Sequence, residues 1–393
     1  MVKKDSNEAG GFARYWQKYS GDFILLPLAT IAALKDAELE AELATAEAVR
    51  KENELKTALA EELKVKMAKT AASAPKAVAP QPGPRDVEIF KHAAVEELFD
   101  NVYRMDTVQT QAAKKVTAKL ENGASRYRTI PRINPTDILA LTAQFENMAA
   151  PIKQLADEIK LMNHLPVDDF RLTPILLLGA PGIGKTAFAM ALSKVMGLPF
   201  EKLNGSEPSF TLTGTHPTWT KAAPGMLITQ FATKTSAAPL FLVDEIDKPT
   251  GDRYPISTAL LDLLEPENAR EYKDEFFQVS INARHAIWIL TANTTTGVSA
   301  PLLSRMSVFD IPSPDIKQRK RIIKADFEKL RNRTGINVNA TPEDLMSLAK
   351  RVDLDLRAVT RIVRGSFIAA LGRESRYAPI NLPPASKSSM GFL

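Results

Sequence analysis

An eight-residue run, Gly179-Ala180-Pro181-Gly182-Ile183-Gly184-Lys185-Thr186, constrains this chain more than any other feature, because it sits between an apolar stretch at 174–178 and a segment of helical periodicity. Three glycines and a proline in eight residues can continue neither the strand before them nor a regular helix, so the chain must turn there. Strand, glycine-rich turn and helix form the context in which G-x-x-x-x-G-K-[ST] cradles phosphate: backbone N–H groups curl around anionic oxygens and the helix points its positive end at them. Lys185 is expected to reach the β- and γ-phosphates, and the Thr186 hydroxyl to ligate Mg²⁺, a hard ion that prefers oxygen donors. ATP with Mg²⁺ is the implied cofactor pair.

A second apolar run, 240–243, ends in Asp244 and Glu245 at a spacing that suits a neighbouring parallel strand. The two acids are expected to divide the work. Asp244 would hold Mg²⁺ through water, and Glu245 would orient and deprotonate the attacking water. Further strands are predicted at 200–203, 286–291 and 308–311, and the chain turns all-helical after Ile311, with helix starts at Ser313-Pro314-Asp315 and Thr341-Pro342-Glu343. The expected fold is α/β: a P-loop parallel sheet flanked by helices, then a small all-helical lid, preceded by a long N-terminal helical segment.

The 393 residues allow two or three domains, and 45% apolar content is ample for a packed core. With no cysteine, disulfides and thiolate metal sites are excluded. A net charge of +5 permits anionic partners without requiring them. The longest early apolar stretch, 23–34, is too short to span a bilayer and is broken by Pro27, and Asp5, Glu8 and Asp22 precede it, unlike a secretory leader. No transmembrane segment is expected, and the cytoplasm is the expected location.

The expected organisation is a helical, coiled-coil-like segment at 1–69, a Pro/Ala-rich linker at 70–85, a helical region at 86–140, the large ATPase subdomain at 141–312, the lid at 313–375 and a flexible tail at 376–393. Helical stretches are predicted at 87–122 and 135–165. Leu39/Leu43 and Leu55/Leu59/Leu63/Met67 recur at helical spacing, but a heptad seam would have to run through Arg50 and Asn53, so a solvated helix competes with a coiled coil. Phe12, Tyr15, Trp16, Tyr19 and Phe23 recur at threes and fours beside Arg14 and Lys18, which predicts an aromatic helix face that docks on a partner protein or, in competition, at a membrane interface.

The ordered motifs resemble the AAA+ ATPases, and within them the ATPase module of the Lon protease, over roughly 145–375. The similarity is carried by Leu242-Val-Asp-Glu-Ile-Asp-Lys248, by Ala259-Leu-Leu-Asp-Leu-Leu-Glu-Pro-Glu-Asn268, by Tyr272 to Phe277, and by Leu290-Thr-Ala-Asn293. The resemblance implies that Asn293 is sensor 1, that Arg305 is an arginine finger reaching a neighbouring subunit, and that Arg357 is sensor 2. A guanidinium in the first of these arginine roles neutralises charge on the transferring phosphoryl group and ties hydrolysis to assembly.

Residues 214–225 are similar to the Lon segment that bears the substrate-gripping pore loop, although the family's aromatic-aliphatic-glycine order is Trp219, Thr220, Lys221 here. Trp219 could instead fill a gap in the core. Lon-type proteins continue into a serine/lysine peptidase domain, for which the tail after the lid is too short. The expectation is therefore an oligomeric, hexameric ATPase that remodels a protein client, with chaperone-like action, recruitment through the N-terminal helical segment and no intrinsic proteolysis. The alternative is an ATPase acting on nucleic acid or as a nucleotide switch in a nucleoprotein assembly, with Lys317-Gln-Arg-Lys-Arg321, Arg361 and Arg364 as phosphate contacts.

Overall fold

The computed structural model describes residues 12–16 and 23–27, parts of a helix between 30 and 54, and residues 84–105, 107–120, 126–248, 254–373 and 375–384. The chain divides into two compact units, Met1–Val78 and Ala79–Leu393. In the first, β1 (Phe12–Trp16) pairs antiparallel with β2 (Phe23–Pro27), Phe12 opposite Pro27 and Trp16 opposite Phe23. This corrects the predicted aromatic helix. Phe, Tyr, Trp and Ile favour extended chain, and Ser20-Gly21-Asp22 between the two runs is turn chemistry, so local preference agrees with a hairpin rather than with the three-and-four spacing. The helix that follows carries a surface pair, Arg50 Nε to Glu54 Oε1 at 2.9 Å. The apolar positions from Leu55 to Met67, residue Tyr19, the linker up to residue 83 and the tail from 385 lie outside the described residues.

The second unit opens with β3 (Asp86–Glu88), α1 (His92–Tyr103), α2 (Thr107–Leu120) and β4 (Tyr127–Thr129), where the sequence predicts one helical stretch. β3 and β4 pair antiparallel, and Val87, Ile89, Phe90 and Leu98 are buried in the same core as the central sheet. Arg128, only 7% exposed, fixes this layer in place. Its guanidinium donates to the carbonyls of Phe231 (2.5 Å) and Ala232 (3.1 Å), satisfying oxygens at the end of a core helix that have no helical partner.

The predicted helix at 135–165 is likewise two, α3 (Pro135–Ala140) and α4 (Ala149–Met162), separated by two short 3₁₀ turns. Asn134 caps α3 through the Thr136 N–H, and Pro151, which lacks an N–H, is tolerated only because it falls in the first turn of α4.

The core continues through β5 (Ile175–Leu178), α5 (Lys185–Met196), β6 (Phe200–Asn204), α6 (Ser209–Thr213), α7 (Met226–Thr233), β7 (Leu240–Asp244), α8 (Ile256–Leu263) and α9 (Pro266–Arg270). It closes with the small hairpin β8 (Tyr272–Lys273) and β9 (Ser280–Ile281), then β10 (Ile287–Ala292), α10 (Ala300–Leu303) and β11 (Ser307–Asp310). The five expected strands form one parallel sheet in the order β11-β5-β10-β7-β6. Its central strands β7 and β10 are buried along their whole length, which is why they read as unbroken apolar runs rather than alternating ones. Phe241 stacks on Trp288 across them, 4.8 Å between ring centres.

Three helices complete the lid: α11 (Ile316–Thr334), α12 (Pro342–Ala349) and α13 (Leu356–Gly372). They enclose a separate apolar cluster that includes Ile323, Phe327, Leu348, Val363 and Phe367. Asp315, rather than Ser313, caps α11, in a reciprocal pair with Gln318. Thr341 caps α12 with Pro342 in the first turn, as expected. Among the described residues, no helix is long and apolar enough to cross a membrane.

Candidate nucleotide-hydrolysis site

The carboxyl ends of β5, β7 and β10 meet the lid around a cavity of about 730 Å³. Its lining includes Pro181, Gly182, Ile183, Gly184, Lys185 and Thr186, with Asp244, Glu245 and Asn293 from the neighbouring strand ends and Arg357 from the lid. Residues about 170 positions apart in sequence thus share one hollow. Gly179 and Ala180 stand at its edge, each offering a carbonyl to the Lys185 ammonium.

The loop needs its glycines for reasons visible in space. Gly182 has φ +73, and a Cβ there would lie 2.6 Å from Oδ2 of Asp355. The N–H of Leu356 donates to the Gly182 carbonyl at 3.1 Å, so the first residues of α13 sit directly on the phosphate loop. Asn147 ties the loop from the other side, donating to the carbonyls of Ile183 and Pro312.

Asp244 is held by three side chains. Its Oδ1 accepts the Thr291 hydroxyl at 2.5 Å; its Oδ2 accepts the Thr186 hydroxyl at 3.0 Å and the Lys202 ammonium at 2.7 Å. Burial alone would push this carboxyl up, but the hydrogen bonds from Lys202 and Thr291, the Lys202 charge and the Thr186 hydroxyl outweigh it and hold the group below the usual carboxylate range. An ionised carboxylate and a hydroxyl side by side are an all-oxygen donor pair, which fits Mg²⁺ brought in on phosphates and waters rather than caged by protein. No cluster of three or more His, Cys, Asp or Glu that could hold a metal occurs among the described residues.

Glu245 follows in the left-handed region, φ +58, a conformation rare for a side-chain-bearing residue and stable only where surroundings enforce it. The enforcing contacts come from β10: the Glu245 N–H donates to the Thr291 hydroxyl at 3.0 Å and the Ile246 N–H to the Thr291 carbonyl at 2.9 Å. Lys185 donates to Oδ1 of Asn293 at 3.3 Å, and burial pulls its ammonium down against the upward pull of Asp244, Asp247 and Glu245. Asp247 in turn accepts the backbone N–H groups of Asn293 (3.0 Å) and Thr294 (3.3 Å).

Two other candidate groups lie elsewhere. Arg305, on the turn between α10 and β11, is not among the cavity residues; its Nη1 donates to the Pro301 carbonyl at 2.7 Å and its Nε lies 3.4 Å from Oε2 of Glu265. Trp219, Thr220 and Lys221 are exposed in a loop closed by a Gly214–Pro224 bridge. Trp219 is 44% exposed and touches Phe210 and Tyr254, with ring centres 6.2 and 5.9 Å away, so it does not fill a core gap.

Sequence reasoning missed Asn147, Lys202 and Thr291 and quoted Asp247 without a role. Asp247 is the one with a usable signal, being the third acid in the run that begins at Asp244. The basic run proposed for nucleic acid is partly spent inside the protein. Arg319 is buried, with its guanidinium donating to the carbonyls of Ala349, Arg351 and Leu354, and Arg321 pairs with Glu146 at the cavity.

Residues 175–312 match the family model described as ATPase family associated with various cellular activities (AAA). The chain is 28% identical over 221 residues to a Lon protease of Halothermothrix orenii, covering 52% of this chain and 28% of that one. It is 27% identical over 252 residues to a Lon protease of Amoebophilus asiaticus, covering 63% and 27%. It therefore spans less than a third of the length of these relatives. Among solved structures, Hsp104 with ATPγS and FITC casein in a closed state superimposes with a TM-score of 0.51 at 16% identity, over 70% of this chain and 49% of that one, a likeness of fold. The Hsp104:casein complex of S. cerevisiae in its extended conformation gives the same TM-score at 17% identity, over 69% and 52%.

Proposed function

With an AAA core similar in sequence to the ATPase region of Lon proteins as its premise, we propose that this chain binds and hydrolyses Mg-ATP and uses the cycle to remodel a protein client, without cleaving it through these residues. The observation that carries the reading is the convergence of Lys185, Thr186, Asp244, Glu245 and Asn293 on one cavity closed by a lid that bonds to the phosphate loop.

Bound ATP with Mg²⁺ would supply the phosphoanhydride and the metal's charge. The protein's own groups then have separable tasks. The phosphate loop and Lys185 hold the phosphates, while Thr186 would provide the metal an oxygen donor and Asp244 would hold it through water. Glu245 takes the proton from water at its carboxylate, Asn293 orients that water, and Arg357 approaches from the lid. Arg305 stands outside its own cavity, which supports a role in trans, where a neighbouring subunit in a hexameric ring would receive it. Exposed Trp219, Thr220 and Lys221 suit the grip on an extended polypeptide at the ring's pore, and the β1–β2 hairpin and following helix the recruitment of the client.

The test is ATP turnover measured with an unfolded protein and, separately, with single- and double-stranded DNA. Stimulation by the unfolded protein alone is the expected result. Stimulation by DNA alone would replace the reading with a nucleic-acid motor.

A further inference from the structure

Lys202 belongs to no motif singled out in the sequence, yet its ammonium lies closer to Oδ2 of Asp244 than the Thr186 hydroxyl does, 2.7 against 3.0 Å. It reaches there from β6, the edge strand of the sheet, on which Asn204 two residues further along is the register partner of Asp244. The edge position leaves the Lys202 side chain half exposed at 47%, whereas that of Asp244 is 11% exposed. Lys202 also lines the nucleotide cavity. The two oxygens of Asp244 are therefore unlike: Oδ1 accepts from Thr291 alone, and Oδ2 carries both the Thr186 hydroxyl and a lysine.

Resting on the ATPase reading above, we propose that Lys202 is a resident counter-ion that occupies the metal-facing oxygen of Asp244 until Mg²⁺ arrives with nucleotide, and then releases it. The physical ground is competition for one anion. A desolvated carboxylate without a counter-charge is costly, so Lys202 stabilises the nucleotide-free site; a divalent cation at the same oxygen repels the ammonium. Mg²⁺ alone must displace Lys202 with nothing to receive it. Mg²⁺ on a triphosphate brings anionic oxygens into the cavity that Lys202 lines, so the lysine exchanges one anion for another. Lys202 acts through Asp244 and is a positioning residue, whose effect is to make metal loading conditional on nucleotide.

The experiment uses the full chain and three variants, Lys202→Met, Lys202→Gln and Lys202→Arg. Thermal unfolding is followed in EDTA and across a Mg²⁺ series without nucleotide, and a fluorescent ATP analogue is titrated with and without Mg²⁺. Wild type and Lys202→Arg are expected to respond weakly to Mg²⁺ alone. Lys202→Met and Lys202→Gln, which both lack the charge, are expected to unfold earlier in EDTA and to be restored by Mg²⁺ alone at about tenfold lower concentration than wild type requires.

Their affinity for the analogue is expected to depend less on Mg²⁺. A Mg²⁺ response in Lys202→Gln equal to or weaker than that of wild type would overturn the proposal, as would an equal loss of analogue affinity with and without Mg²⁺, which would make the lysine a plain phosphate ligand. Should Lys202→Met not fold, Lys202→Gln keeps a hydrogen-bond donor and reads the charge alone. No binding of the analogue by wild type under either condition would instead defeat the ATPase reading, leaving the ion pair without that function.

Discussion

The hydrolysis cavity and the loop at 214–225 hold their side chains in opposite ways. At the cavity several groups are held from another element: Asp244 is shared among β6, α5 and β10, the Asn293 N–H is held by Asp247, and α13 bonds to the phosphate loop. The loop is fixed mainly at its base, with Gln109 of α2 donating to the Pro217 carbonyl further out. Gly214 and Gly225 approach so closely that a Cβ on Gly225 would lie 2.4 Å from the Gly214 nitrogen, and the Thr215 N–H donates to the Ala223 carbonyl at 3.1 Å. Beyond that base, Trp219 has two aromatic neighbours and solvent. Chemistry at a reacting phosphate demands placement to fractions of an ångström, whereas gripping varied side chains demands compliance on a firm footing. On the proposed function, the first demand falls on the cavity and the second on the loop.

The largest expected effect comes from removing a cavity group that has no substitute. Glu245→Gln should lower turnover by about 100-fold or more with ATP affinity retained, whereas Lys185→Ala should weaken binding itself; steady-state turnover beside nucleotide titration separates them. Arg305→Ala should also hydrolyse poorly, and mixed with Glu245→Gln subunits should recover activity at interfaces that pair an intact site with an intact arginine. Lack of recovery in mixed assemblies of verified composition would count against action in trans.

At the loop, the root should matter more than the tip. Gly225→Ala forces the backbone of Leu212 and Gly214 to move and should destabilise the unit by about 3 kcal/mol in chemical denaturation, close to an overpacked core. A cost near zero would mean that the base is as compliant as the tip.

The rigid region also makes a prediction about pH. His285, at the foot of β10, is 1% exposed and bonded through Nδ1 to the Phe170 carbonyl at 2.7 Å; burial pushes its imidazole down to about 4, from 6.5. Between those values the unfolded chain holds a proton that the folded chain refuses, so this residue's contribution falls as pH drops from 6.5 towards 4 and is constant below. Relative to His285→Asn, wild type should lose about 2 to 3 kcal/mol across that window. A pH-independent difference would show that the imidazole charges in place.

The smallest structural effect belongs to the tip. Trp219→Ala should alter stability by about 1 kcal/mol or less, and basal turnover little, while removing stimulation by an unfolded protein.

The same contrast explains what could be read in advance. The phosphate loop and the acids after β7 were legible because each is a contiguous run, the glycines and Lys185 within 179–186 and the two carboxylates adjacent at 244 and 245. The inner strands β5, β7 and β10 were legible because burial on both faces leaves unbroken apolar runs, whereas the edge strands β6 and β11 are shorter apolar signals mixed with polar residues. Lys202 was not, since a lysine on an edge strand looks like any solvated side chain until Asp244 is placed beside it. The β1–β2 hairpin was misread because aromatics at positions 12, 15, 16 and 23 satisfy a helical spacing by count while their individual preference is extended.

On the proposed cycle, the bond between the Leu356 N–H and the Gly182 carbonyl would make α13, moving with the lid into which it packs, a lever with its pivot at the phosphate loop. The helix has 17 residues, which at the usual rise is a rigid arm of about 25 Å. A tilt of about 10° at the pivot, the scale of a small adjustment in the phosphate loop, sweeps the far end through roughly 4 Å. Gly182 is what permits so short a coupling, since any side chain there would collide with Asp355 and hold the arm off its pivot. A substitution at this one position would thus be expected to change the mechanical gain between the nucleotide and the distal lid surface as well as the fit of the phosphates.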